Sequence, residues 1–264
     1  CSIKMIMKIK FVASKDLGSE NKKEIDDFIV NNNGMVFHET LFNDILSYYV
    51  NSTLYYYLAY KNSNLCGICP IHRKKNGAIT ELDSGMLHFE IPYGGWVYSS
   101  NVNYKELLNK LKPGFFEKYN YFTGIDIHNN FKFKTVAQYW TSIISLDKGS
   151  EEISESSIKS KKRNKIRKAL KNEIRIIQGG PEMINDFYWL LKERNAKEGM
   201  ICKSKDFYKQ VIKSYYEKNA RILFAYDSNQ LLAGLFLLGN LNMFHVWQSA
   251  SIQKVKDYGQ GELL

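Results

Sequence analysis

Residues 157–175 read SIKSKKRNKIRKALKNEIR. Lys159, Lys161, Lys162, Arg163, Lys165, Arg167, Lys168 and Lys171 crowd into about four helical turns. Ile158, Ile166 and Leu170 leave a thin apolar stripe, with Ala169 beside it. Upstream, Ser150 is placed to cap a helix, and Glu151 and Glu152 fall in its positive first turn. Asn172 tolerates the left-handed conformation that ends many helices. The pattern predicts one helix over about residues 152–171, acidic at its start and basic at its end. That polarity complements the macrodipole, which accounts for part of the charge. The rest has no such reason. About eight like charges on one short helix repel one another unless an anion sits among them.

On either side of this helix the elements repeat one order. In the first half, residues 8–13 (KIKFVA) alternate as a strand. Residues 21–30 place Ile25, Phe28 and Ile29 at helical spacing, and Asn33-Gly34 stops that helix. Residues 40–49 form a second helix, with Leu41, Ile45 and Leu46 on one face. Residues 54–60 and 65–71 read as a strand and its hairpin partner. Residues 86–98 read as extended, interrupted by Pro92-Tyr93-Gly94-Gly95. A helix over 104–118 and strands over 121–127 and 139–146 follow. In the second half, residues 173–177 form a strand and Pro181 opens a helix to about residue 196. Another helix covers 206–217, and three strands cover 221–226, 231–238 and 243–250. Each half thus reads strand, helix, helix, three strands, glycine loop, helix. Order is repeated and sequence is not. The expected organisation is two α/β units with mixed sheets, residues 1–150 and 151–264. Only Gly261–Leu264 remain for the third helix of the second unit, so that unit is expected to be cut short.

A chain of 264 residues accommodates two such units, and 44% hydrophobic and 14% aromatic content suffices for their cores. Eighteen tyrosines and fifteen phenylalanines argue against disorder. The net charge of +10 points to anionic partners: phosphates, nucleic acid or a lipid surface. No apolar run is long enough to span a bilayer, and no signal-peptide pattern opens the chain. Four cysteines give no disulfide framework, which suggests a reducing, cytoplasmic setting. Peripheral contact with a membrane surface remains compatible with the charge.

Several short patterns carry chemistry. Lys256, Gly259 and Gly261 follow a strand and open a helix. Bare backbone N–H groups and a helix N-terminus there suit a pyrophosphate, and a mobile turn is the alternative. Trp247, on the strand before that loop, either packs in the core or lines a groove for a donor. Tyr93 and Gly94 either approach a ligand or form a bulge at a strand break. The basic helix supports three readings. It is a solvated surface helix, a diphosphate clamp or a nucleic-acid patch. In the clamp, Arg163 and Arg167 share a face four residues apart, assisted by Lys162. Cys66, Cys69 and His72 fall short of a structural zinc set, and a regular strand sends positions three apart to opposite faces. The five histidines are scattered, with no arguable Ser–His–Asp order.

The element order with Lys256-x-x-Gly259-x-Gly261 resembles the GNAT acyltransferase fold. Two such units joined by a basic helix resemble the Fem-type transferases. The residues that carry this are Phe37-His38-Glu39-Thr40, Ile91-Pro92-Tyr93-Gly94-Gly95, Lys162-Arg163 with Ile166-Arg167-Lys168-Ala169, and Trp247 with Ser249-Ala250. The resemblance implies transfer of an acyl or aminoacyl group to an amine, often on a peptidoglycan precursor. It implies aminoacyl-tRNA or acyl-CoA as the donor substrate and no further cofactor. A phosphorylated sugar or nucleotide-linked acceptor would meet Lys162, Arg163, Arg167, Tyr93 and Gly94, and the donor would meet Lys256, Gly259, Gly261 and Trp247. One departure is the lack of a long helical hairpin between Pro181 and Glu217, the arm that several tRNA-dependent members carry. The reading from another class is a non-catalytic RNA- or anionic-surface-binding protein that uses the basic helix.

Overall fold

The computed structural model describes residues 7–86, 91–110, 121–124, 141–147, 149–241, 243–252, 261 and 264. The chain divides into two compact units. One comprises Cys1–Lys132 with Gly239–Phe244, and the other Phe133–Leu238 with His245–Leu264.

The first unit contains β1 (Met7–Ala13), α1 (Ser19–Asn31), α2 (Thr40–Tyr49), β2 (Thr53–Lys61) and β3 (Asn64–Asn76). β4 (Ile79–Ser84), β5 (Val97–Tyr98), α3 (Tyr104–Lys110) and β6 (Tyr121–Gly124) follow. Among the described residues the strands form a six-stranded sheet, ordered β1-β2-β3-β4-β6, with β5 pairing on β3. The pairs are antiparallel from β1 to β4, and β6 joins β4 in parallel. The sequence LYYYLAY in β2 is apolar at nearly every position because both faces are covered. Leu54, Tyr56 and Leu58 pack on Ile25 and Ile29 of α1. On the opposite face Tyr57 packs with Trp96, Tyr104 and Leu107.

Three expectations for this half are corrected. The third strand of the meander is Ile79–Ser84 rather than residues 86–98, of which only Val97–Tyr98 is strand among the described residues. Gly77, at φ +58°, and Ala78 form the two-residue turn from β3 into it. Residues 141–146 are not a strand, and Ile143, Ile144 and Leu146 are exposed. Cys66 and Cys69 do not face opposite ways. Ala59 opposes Gly67 while Tyr60 opposes Leu65, so Cys66 is the extra residue of a bulge. Both side chains end up buried in one cluster.

The second unit contains α4 (Ser150–Ser157), α5 (Ser160–Lys171), β7 (Arg175–Gly179), α6 (Ile184–Glu198), α7 (Lys205–Tyr215), β8 (Ala220–Asp227), β9 (Gln230–Gly239) and β10 (Phe244–Ser251). Its sheet runs β10-β9-β8-β7. Phe187 of α6 meets Phe224 and Phe236 edge-on, and Ala169 of α5 packs against Ala225, Leu232 and Ala233. The single helix expected over residues 152–171 is two helices, α4 and α5. Ile158 and Lys159 are extended, at ψ 122° and 145°. The cause is the serine-rich end of α4, where Ser156 Oγ donates to Glu152 O at 2.6 Å and competes with the backbone ladder. Ser150 is the first helical residue and Gly149 its N-cap. At the far end Asn172 keeps φ −93°, and Glu173 takes the left-handed position at φ +56°.

Candidate functional site

The break between α4 and α5 turns the basic helix back on its acidic predecessor. Ser150, Glu151, Ser154, Arg163 and Arg167 line an open cleft of about 790 Å³, all within the second unit. Arg163 is half-buried there. Its Nη1 donates to Ser154 O at 3.3 Å and to Ile158 O, carbonyls that the broken helix would leave without a donor. Arg167 is exposed, with Nη1 donating to Asn164 Oδ1 at 3.1 Å. A guanidinium offers five N–H donors in a planar fork, a geometry that suits an oxyanion. The first turn of α4 adds partial positive charge, and Glu151 opposes it in part. Lys162 is exposed and is absent from the described lining of the cleft. Two of the three predicted basic residues thus converge, and Ser154 joins them without any signal in the sequence.

The loop Pro92–Gly95 lies in the first unit and meets residues 37–38, another predicted motif. The rings of Phe37 and Tyr93 are 5.9 Å apart. His38 is fully buried. Its Nδ1 accepts from Met35 N at 3.1 Å, which leaves Nε2–H to donate to Gly94 O at 3.1 Å. Gly95 N donates to Ser84 Oγ at 2.8 Å. A Cβ on Gly94 would lie 2.3 Å from Gly85 N and 2.4 Å from Ser84 O, so only glycine fits. Tyr93 and Gly94 are buried. Close approach of the bare backbone at Gly94 is therefore made to the chain's own β4 end.

Trp247 is buried in an aromatic cluster with Phe207, Tyr208 and Phe236 at centroid distances of 5.7, 5.5 and 5.1 Å. Lys256 and Gly259 lie outside the described residues. Gly261 is helical, and a Cβ there would meet nothing within 4 Å. Sequence reading passed over Arg194 of α6. Its Nε donates to Asn195 Oδ1, Nη1 to Ser249 O at 2.6 Å and Nη2 to Gln248 Oε1. It thereby pins the strand that leads toward the predicted glycine loop. A separation of 55 residues between Arg194 and Ser249 leaves no local trace in the sequence.

Residues 122–232 match the model of the FemAB family. Over that stretch the chain is similar to the FemAB family. Among solved structures, one described as the crystal structure of FemX superposes with a TM-score of 0.68 at 12% identity, covering 92% of this chain and 82% of that one. A conserved protein of unknown function from Bacteroides thetaiotaomicron superposes with a TM-score of 0.55 at 13% identity, covering 98% and 85%. At such identities the likeness is one of fold. No curated protein matches the sequence. Among the described residues no helix is long and apolar enough to cross a membrane.

Proposed function

We propose that the chain is an N-acyltransferase of Fem type. It moves an acyl or aminoacyl group from an aminoacyl-tRNA or acyl-CoA donor to an amine of a phosphorylated, nucleotide-linked cell-envelope precursor. The observation that carries this reading is the convergence of Arg163 and Arg167 on one open cleft beside the first turn of α4. A paired guanidinium site suits a diphosphate, and the FemAB match over residues 122–232 spans that cleft. In the reaction the amine lone pair forms the new C–N bond at the donor carbonyl. The ester C–O or thioester C–S bond breaks, and the proton lost by the amine ends on the departing oxygen or sulfur. Such aminolysis needs no covalent enzyme intermediate. Holding amine and carbonyl in line and stabilising the oxyanion supply most of the acceleration.

Titration with a UDP-linked amino sugar at two salt concentrations tests the acceptor half. Arg163→Met and Arg167→Met are expected to weaken binding by about ten- to a hundredfold, the worth of one charge-assisted contact. Lys159→Met, outside the described lining of the cleft, is expected to change it little. Three comparable losses that fade together as salt rises would instead indicate a non-catalytic nucleic-acid patch. Three equally mild effects would leave α5 as a solvated helix.

A further inference from the structure

The cleft is not lined by cations alone. Arg163 and Arg167 come to it from α5, and α4 brings Ser150, Ser154 and the carboxylate of Glu151. Glu151 is exposed, and among the described residues it forms neither a hydrogen bond nor an ion pair. An acid in the first turn of a helix complements the macrodipole, which would account for its presence. Glu152 supplies the same complement one residue on and is absent from the described lining of the cleft. A second acid set in an anion cleft repels any phosphate there. Some other part of the ligand must offset that repulsion.

The choice of partner for Glu151 is narrow. An ionised carboxylate accepts hydrogen bonds and donates none, so its partner is a donor. An ammonium would meet Arg163, Arg167 and the lysines of α5, a helix without acidic residues. A neutral donor escapes that repulsion. Two adjacent hydroxyls match the two oxygens of one carboxylate, and acidic side chains hold ribose hydroxyls in dinucleotide sites. A volume of about 790 Å³ is that of a site for a whole small molecule rather than for a diphosphate alone. We propose that Glu151 is a specificity-determining residue, accepting hydrogen bonds from neighbouring hydroxyls of a sugar joined to the diphosphate at Arg163 and Arg167. This role depends on the diphosphate reading of the cleft and adds which diphosphates are preferred: those that carry a diol. The diol belongs to the ribose of a nucleotide or to the sugar beyond the second phosphate.

Calorimetric titration of the full chain with inorganic pyrophosphate, UDP, 2′-deoxy-UDP and a UDP-linked amino sugar tests this. Glu151→Gln keeps the size of the side chain and removes its charge. It should weaken the UDP-linked sugar about tenfold, the worth of one charge-assisted hydrogen bond. It should bind pyrophosphate about twofold more tightly, because a repelling charge has gone. If ribose is the partner, UDP also loses about tenfold, and the wild-type protein binds 2′-deoxy-UDP as weakly as the variant binds UDP. If the second sugar is the partner, UDP follows pyrophosphate and only the UDP-linked sugar is weakened. Glu152→Gln removes an equal charge from the same turn and should leave the preference for the UDP-linked sugar over pyrophosphate unchanged. Equal loss of that preference in both variants, or a Glu151→Gln variant that treats all four ligands as the wild type does, overturns the proposal. Arg163→Met keeps the two readings apart. If it abolishes pyrophosphate binding while Glu151→Gln changes nothing, only the role of Glu151 is refuted. If it binds pyrophosphate undiminished, the diphosphate reading of the cleft falls, and the role of Glu151 with it.

Discussion

His72 shows how completely a polar side chain can be absorbed into a core. Its Nε2 lies 2.9 Å from Asn43 Oδ1, and its Nδ1 lies 2.9 Å from Ser52 Oγ. Asn43 uses its amide hydrogens on Phe37 O and Glu39 O, so its oxygen is an acceptor. The imidazole therefore carries its proton on Nε2 and accepts from Ser52, and it is neutral. Burial, aided by the charge of Lys74, lowers its pKa to about 3. In the unfolded chain the group titrates near its ordinary value of about 6.5. Below that pH the unfolded state binds a proton that the folded state refuses. Stability should thus fall as pH drops from about 6.5 toward 3, with this residue contributing up to about 1.4 kcal/mol per pH unit. Urea unfolding across that window checks it: His72→Gln should be less stable at neutral pH and less sensitive to acid. An identical slope in the variant would contradict a neutral His72. Neither this histidine nor His38 was legible as a structural group, because their partners lie 29 and 56 residues away. Trp247 was legible as a core candidate, since an indole on a strand among apolar neighbours packs well whatever else it does.

At the scale of elements, hydrophobic period served well and its interruptions did not. α1, α6, α7 and β8–β10 lie within a few residues of where their spacing placed them. The departures come from local devices that leave the pattern intact. A bulge at Cys66 reverses the facing of one thiol, and a Gly77-Ala78 turn begins a strand too polar to read as one. The α4–α5 break is the consequential case, since an unbroken helix would carry Ser150 and Arg163 about 20 Å apart along its axis. It also leaves a weak point. Lys159 is the N-cap of α5, makes no capping hydrogen bond and brings a cation to a positive helix end. Lys159→Asp should supply both the cap and the favourable charge. We expect it to raise stability by about 0.5–2 kcal/mol in denaturant titrations and to leave ligand affinity unchanged. Lower stability would mean that Lys159 makes a contact worth more than a cap.

For the molecule as a whole, the repeated order of elements was readable because strand, helix and turn signals recur whether or not the two halves share sequence. The cleft at Arg163 was half readable: helical spacing places Arg163 and Arg167 together, but nothing in the chain announces that α4 folds back to meet them. The two predicted loops differ in outcome. Residues 92–95 serve the architecture of the first unit, and Lys256 and Gly259 lie outside the described residues. The cleft differs from the sheets in one more respect. All of its described lining residues fall between positions 150 and 167, and Arg163 closes it through bonds spanning five and nine residues. The pairing of β4 with β6 instead joins Glu81 to Tyr121. Closing short loops costs little chain entropy, and such contacts form early. Pulse-labelled hydrogen exchange during refolding should therefore find the amides of α4 and α5 protected before those of β4. The cleft would then be in place while the sheet of the first unit is still being assembled.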